Sequence, residues 1–347
     1  MNKVKSKKSK YIIRFLLFTG TIVSLFFVPW LLVKAWILPL PNTVQEQLDE
    51  AIDHGFDGIV VYIDQGANPP QYLASGWHDR EAEIPAKPQA LFKIASISKL
   101  YDAVAVTKLV NDRRLSLDKT IADYLPELVG RIENADKITL RLMLQHRSGI
   151  PNYTDAPDFW AAPTETYEES LALIADMPAN FEPGEDYEYC NTNYLLINKI
   201  MDDELGYPNF QFIRQEILDP LSLDNTYRSV TDVKMEDVMG GYHVGYPHNL
   251  KTNDYGMHAT AEDVGIFLRA LNDGSVFEEE EEEEELYASV YEYEHAGWVP
   301  GYQSFAHYHK YLDAVVVAFY STTDPELYYW NLSEIINNRI VKILERQ

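Results

Sequence analysis

Runs that read as β-strands occur only near the two ends of the body of this chain, and that placement constrains its fold more than any other feature. Gly58–Asp64 and Gln71–Trp77 lie early, Gln303–His309 and Asp313–Ser321 lie late. Each is rich in β-branched and aromatic residues and bounded by turn formers. Helical patterns fill the space between. Ser96–Arg113 carries Leu100, Ala103, Val104, Thr107 and Val110 on one stripe, and Leu195–Leu205, Phe210–Leu218 and Thr260–Asn272 are further helices. Thr43–His54 and Pro325–Leu344 read as opening and closing helices. Short strand runs cannot stand alone, so the two ends must meet in one antiparallel sheet. The expected class is α/β (α+β): that sheet flanked by helices, with a helical subdomain at about 115–250. There is no internal repeat, and 347 residues suffice for a substantial core.

The N-terminus differs from the rest. Residues 1–40 hold seven basic side chains and no acid, and Phe15–Val33 is 19 residues without a charge. That length predicts a transmembrane helix, with the lysines on the cytoplasmic side. The expectation is residues 1–41 as a basic tail and single-pass anchor in the cell membrane, and 42–347 as an extracytoplasmic domain, soluble when cut at Asn42. The alternative is secretion after signal cleavage, for which Val33-Lys34-Ala35 is a loose site. Beyond residue 40, 22 basic residues face 54 acidic ones, a poor surface for nucleic acid. Cys190 is the only cysteine, which excludes an intrachain disulfide and is expected to pack. The glutamates at Glu278–Glu285 read as a solvated helix face or loop.

Three clusters carry chemistry. Ser96 and Lys99 stand three apart at the start of the long helix, one turn apart on one face. A serine hydroxyl needs a neighbouring base to become a nucleophile, and a lysine serves only in its neutral form. The Ser96 amide, in a first helical turn, is free to hold an oxyanion. A second pair of this spacing, Ser116 and Lys119, follows the polar stretch Asn111–Arg114 and reads as an exposed loop. Next come Phe181-Glu-Pro-Gly184 and Tyr189-Cys-Asn191, before an apolar helix. Tyr189 there can relay a proton and Asn191 can bind a carbonyl, unless Asn191 or Thr192 is simply a helix N-cap. The third is His295-Ala-Gly297-Trp298. On an edge strand beside Ser96, the Trp298 amide would be a second oxyanion donor and His295 would face the substrate. His243-Val-Gly245 imitates this cluster.

Together with Leu142–Pro151, Glu216–Leu221 and Gly256–Thr260, these segments resemble, in order, the serine β-lactamase and penicillin-binding protein superfamily. The nearest branch is the class C β-lactamases, DD-carboxypeptidases and related esterases. The resemblance implies a β-lactamase/transpeptidase-like fold, with Ser96 as nucleophile, Lys99 as its base and Tyr189 as a second acid/base group. It makes Asn191, His295 and Gly297 substrate binders. It implies a membrane-anchored serine hydrolase that cleaves an ester, amide or D-amino-acid peptide bond through an acyl-enzyme. The rival is a catalytically idle sensor that binds cell-wall peptide or β-lactams in the same cleft. The expected partner is a small-molecule or peptide substrate, with no cofactor and no metal. His307 and His309 share a strand face but belong to no spaced ligand set. Oligomeric state stays open. His295 departs from the family, whose β-lactamases have lysine there. A neutral imidazole favours peptidase or esterase work over carboxylate-bearing β-lactams, with charge expected to return near pH 6.

Overall fold

The computed structural model describes residues 7–278 and 280–346. Lys3 and Lys5 of the basic tail, and Glu279 of the glutamate run, lie outside the described residues. Six strands form the main sheet: β1 (Gly58–Gln65), β2 (Gln71–Asp79), β3 (Ile84–Pro85), β4 (His295–Val299), β5 (Tyr302–His309) and β6 (Ala314–Tyr320). Their order is β3-β2-β1-β6-β5-β4, antiparallel throughout, so the two ends of the chain meet where β1 pairs with β6.

β1 and β6 are buried on both faces. Ile59, Val61, Ile63, Val316, Ala318 and Tyr320 face one core, and Val60, Tyr62, Val315, Val317 and Phe319 face the other. Both faces of the sheet are therefore covered by helices. One face carries the Val44–Asp53 helix and the C-terminal helix Tyr328–Leu344. The other carries the Ser98–Asn111 helix, the Ala261–Asp273 helix and the helical region between. Thr43 closes a capping box on the first of these, and Thr260 and Gly274 bound the Ala261–Asp273 helix.

The N-terminal segment is not the single span that its length predicts. Among the described residues no helix is long and apolar enough to cross a membrane alone. The segment breaks into α1 (Lys7–Leu25) and α2 (Trp30–Ile37); the bent pair, which passes together, turns through 79°. Pro29 stands at the break, where it supplies no N–H and cannot continue a helix. The indole Nε1 of Trp30 donates to Leu25 O at 2.8 Å across the bend. The boundary expected at 41/42 also falls inside a packed unit. Ala35 is buried, Leu31, Leu32 and Leu40 join the core under the C-terminal helix, and buried Arg339 donates to Leu38 O at 2.7 Å and Pro39 O at 2.9 Å. A cut at Asn42 would uncover that core.

From Glu280 the glutamate run is helical, Glu280–Ala288, and among its described side chains one departs from the solvated character. Glu283 is buried, and its carboxylate accepts from the Glu278 amide at 2.9 Å and from Asn111 Nδ2 at 3.4 Å. It thereby ties the run to the end of the Ser98–Asn111 helix.

Candidate active site

Ser96 does not open the long helix itself. It sits on a 3₁₀ turn, Ala95–Ile97, and the helix begins two residues later at Ser98. Ala95 before it has φ +49°, a conformation rare for a residue with a side chain. The turn is held from behind, where Ser304 Oγ on β5 donates to Ile94 O at 2.8 Å. As an early amide of the turn, the Ser96 N–H has no partner within it.

Lys99 joins the first two clusters. Its Nζ lies 3.1 Å from Ser96 Oγ and 2.9 Å from Asn191 Oδ1. It also lies 5.2 Å and 5.3 Å from the ring centres of Tyr189 and Tyr194. Asn191 opens the Asn191–Leu205 helix, but neither it nor Thr192 is the cap: the N-cap is Cys190, whose side chain makes no capping bond. Asn191 instead donates through Nδ2 to Thr154 Oγ1 at 3.0 Å, which fixes its oxygen towards the lysine. Cys190 is buried and points away, with Sγ 3.3 Å from Ile150 O.

Tyr189 lines the same cleft, and its enclosed hydroxyl has no hydrogen-bond partner. Its ring packs on His146 with centroids 4.4 Å apart and lies 6.1 Å from His295. His146 accepts the Cys190 N–H on Nδ1 at 3.1 Å, which leaves the proton on Nε2. Burial, then the charge of Lys99, pulls the His146 pKa to about 3. His146 stood in a supporting segment without an assigned role. Asp102, one turn past Lys99, was not singled out; it lines the cleft, and burial raises its carboxyl to about 6.

β4 is the edge strand, and it runs beside the Ser96 turn. A two-residue turn, Pro300-Gly301, joins it to β5, so Val299–Tyr302 and Gly297–Ser304 are the hydrogen-bonded pairs. By that alternation the N–H of Trp298 faces the open edge. His295 Nδ1 donates to Ala296 O at 2.6 Å, leaving Nε2 as an acceptor. Burial, then Lys99, lowers its pKa to about 4. The charge expected near pH 6 is therefore absent there.

The imitations fall elsewhere. The Ser116 backbone is engaged by the Tyr124 hydroxyl, and neither Ser116 nor Lys119 lines the cleft. His243 holds Thr323 Oγ1 at 2.7 Å, with its ring 6.0 Å from that of Trp298. His307 pairs with Glu294 at 3.2 Å, and no group of three His, Cys, Asp or Glu among the described residues could hold a metal.

The cleft that collects Ser96, Lys99, Tyr189, Asn191, His295 and Trp298 has a volume of about 1090 Å³. At one end His295 stacks on Tyr291, with centroids 5.9 Å apart. At the other, Trp298 meets Trp160 at 5.6 Å and Trp160 meets Tyr255 at 6.3 Å. Ser96 and Lys99 thus share a cleft with aromatic walls.

This arrangement sits in a fold of the β-lactamase/transpeptidase superfamily. The beta-lactamase family model matches residues 40–325, and the chain belongs to that family. It is similar to Protein flp of Staphylococcus aureus (strain MW2), 25% identical over 209 residues, 58% of this chain and 42% of flp. It is also similar to Penicillin-binding protein 4* of Bacillus subtilis (strain 168), 25% identical over 245 residues, 68% of this chain and 52% of that protein. The matches thus span about half the length of these relatives. Among solved structures, the D-amino acid amidase from Ochrobactrum anthropi SV3 complexed with L-phenylalanine amide superposes with a TM-score of 0.76 at 21% identity. That alignment covers 88% of this chain and 98% of the amidase. The octameric penicillin-binding protein homologue from Pyrococcus abyssi gives 0.66 at 25% identity, covering 80% and 71%.

Proposed function

We propose that this chain hydrolyses an ester, amide or D-amino-acid peptide bond through an acyl-enzyme on Ser96. The observation that carries this reading is Lys99 Nζ at 3.1 Å from Ser96 Oγ while Asn191 Oδ1 orients it from the other side. Lys99 takes the hydroxyl proton as Oγ attacks the carbonyl carbon. The N–H groups of Ser96 and Trp298 hold the oxyanion. Tyr189, whose hydroxyl has no partner in the protein, passes a proton to the leaving group. A water then attacks the acyl carbon and frees the serine. Asn191, Gly297 and His295 border the bound substrate.

A neutral His295 offers no cation to a substrate carboxylate, so peptidase or esterase activity is favoured over β-lactam hydrolysis. The aromatic walls favour a substrate with a flat or apolar group. The apolar N-terminal segment supports residence at the cell membrane with the domain outside the cytoplasm. A panel of p-nitrophenyl esters, D-alanyl peptides and a chromogenic cephalosporin tests the reading. Ester or peptide turnover that disappears in Ser96→Ala supports it. Covalent labelling without turnover of any class would establish the idle sensor instead.

A further inference from the structure

The two N-terminal helices meet water and protein differently. α1 is exposed at every residue from Lys10 to Leu25, with Phe15, Leu16, Leu17 and Phe18 each more than 60% exposed. From Phe15 to its end α1 carries no charge on any side, and an uncharged, largely apolar stretch of this kind is at home only in lipid or a protein core. α2 is two-sided. Leu31, Leu32 and Ala35 face the body, whereas Trp36 is 71% and Ile37 65% exposed. Phe26 and Phe27 at the bend are more than 80% exposed.

α2 is also fixed to the body. Besides its bonds to Leu38 O and Pro39 O, Arg339 donates through Nε to Gln47 Oε1 and pairs with Glu50 at 3.1 Å. One buried guanidinium thus joins the end of α2, the Val44–Asp53 helix and the C-terminal helix. No free linker separates the apolar segment from the domain.

We propose that a lipid bilayer covers the continuous apolar surface made by α1, the bend and the outer face of α2, so that the catalytic domain sits directly on the membrane. This rests on the membrane reading above and goes beyond it, because an anchor alone would let the domain hang free. The 79° bend supports it: with α1 reaching into the bilayer, α2 lies close to the membrane plane. There Trp30 and Trp36 take the interfacial place that tryptophan favours, and exposed Lys34 reaches the headgroups with its charged end. Lys10 and Arg14 on α1 supply attraction to anionic lipid.

The test uses the full chain in phosphatidylcholine–phosphatidylglycerol vesicles. Cys190 is buried, so cysteines introduced by Phe27→Cys, Trp36→Cys, Ile37→Cys and Val129→Cys can be labelled singly with an environment-sensitive fluorophore. Lipid-borne quenchers should strongly reduce emission at positions 27, 36 and 37, and leave it unchanged at 129, an exposed site in the helical region. Two positions on α2 keep the result independent of either substitution. Quenching at 27 with none at 36 and 37 overturns the proposal while leaving the membrane reading intact. A chain that stays in the supernatant, or no quenching at 27, overturns both.

Discussion

Gly297 on the edge strand and Ala95 before the nucleophile lie so close that no side chain fits between them. A Cβ at Gly297 would stand 2.9 Å from Ala95 Cβ and 2.6 Å from Ile94 O. Gly297→Ala must therefore push β4 off the Ser96 turn and carry the Trp298 amide with it. Overpacking of this kind costs about 1–3 kcal/mol. The larger effect should fall on catalysis, with kcat/KM for an ester down by about 100-fold or more, the scale of a lost oxyanion donor. Steady-state kinetics on a folded variant check this; activity within twofold of wild type would show that the amide does not act.

Lys99→Arg should be nearly as damaging as Lys99→Ala. Arginine keeps a cation near Asn191 Oδ1 but cannot release its proton in proteins, so it cannot accept one from Ser96. Both variants should lose at least a hundredfold in kcat, the usual scale of general base catalysis. Substantial turnover in Lys99→Arg would reduce the lysine to an electrostatic role.

The histidines predict a pH dependence of stability. His146, His258 and His295 have folded pKa values of about 3, 4 and 4, all lowered first by burial. Unfolded, each takes a proton as pH falls through the ordinary histidine range near 6.5. The unfolded chain then binds more protons, and stability falls from about pH 6.5 down to the folded values, by up to about 1.4 kcal/mol per pH unit for each group. Asp102 opposes this, since its raised carboxyl protonates in the fold at about 6. Three groups outweigh one, so the urea midpoint should drop between pH 7 and pH 5. His258, whose ring is fully buried, is the one to remove. In His258→Leu the drop should shrink. A midpoint that rises towards pH 5 would contradict the assignment of these rings as neutral.

His295 carries a kinetic counterpart. With its pKa near 4, the preference for an ester over a cephalosporin should stay flat between pH 7.5 and 5.5. His295→Lys should shift it towards the carboxylate substrate, by a contact worth roughly 1.5–3 kcal/mol, or about 10- to 100-fold. A preference that swings with a midpoint near 6 would show an ordinary, solvent-facing histidine.

Much of this was legible in the sequence, for identifiable reasons. β1 and β6 are central strands with both faces buried, so their residues could hardly be anything but apolar. Thr43, Thr260 and Gly274 marked helix ends by local hydrogen bonding and backbone conformation. Ser96 and Lys99 were separable from Ser116 and Lys119 by the apolar helix that follows them. Hydrophobicity alone could not place the end of the N-terminal segment, because Ala35 and Leu32 are apolar for the sake of a protein core, and nothing in composition distinguishes that from lipid. Pro29 was the available signal of a break. Glu283 and Asp102 were hidden because burial of a carboxylate depends on partners far away in the chain.

The buried joint of α2 reverses the expectation for a shortened protein. A fragment that begins at Asn42 loses Leu31, Leu32 and Ala35 from the core and leaves Arg339 without two of its acceptors. Each lost hydrogen bond to the charged guanidinium is worth roughly 1.5–3 kcal/mol. Thermal unfolding should therefore start well below that of a fragment beginning at Trp30, which should match the full chain. Equal Tm values for the two fragments would show that α2 contributes nothing to the fold.

The most direct test of the central claim is the intact mass of the protein after reaction with an activated fluorophosphonate, with peptide mapping of the adduct. One phosphonyl group should appear on Ser96, in step with loss of ester hydrolysis. Ser96→Ala should take up none and hydrolyse nothing while unfolding at the wild-type temperature, and Ser116→Ala should react like wild type. An adduct on another residue, or hydrolysis that survives in folded Ser96→Ala, would contradict the account.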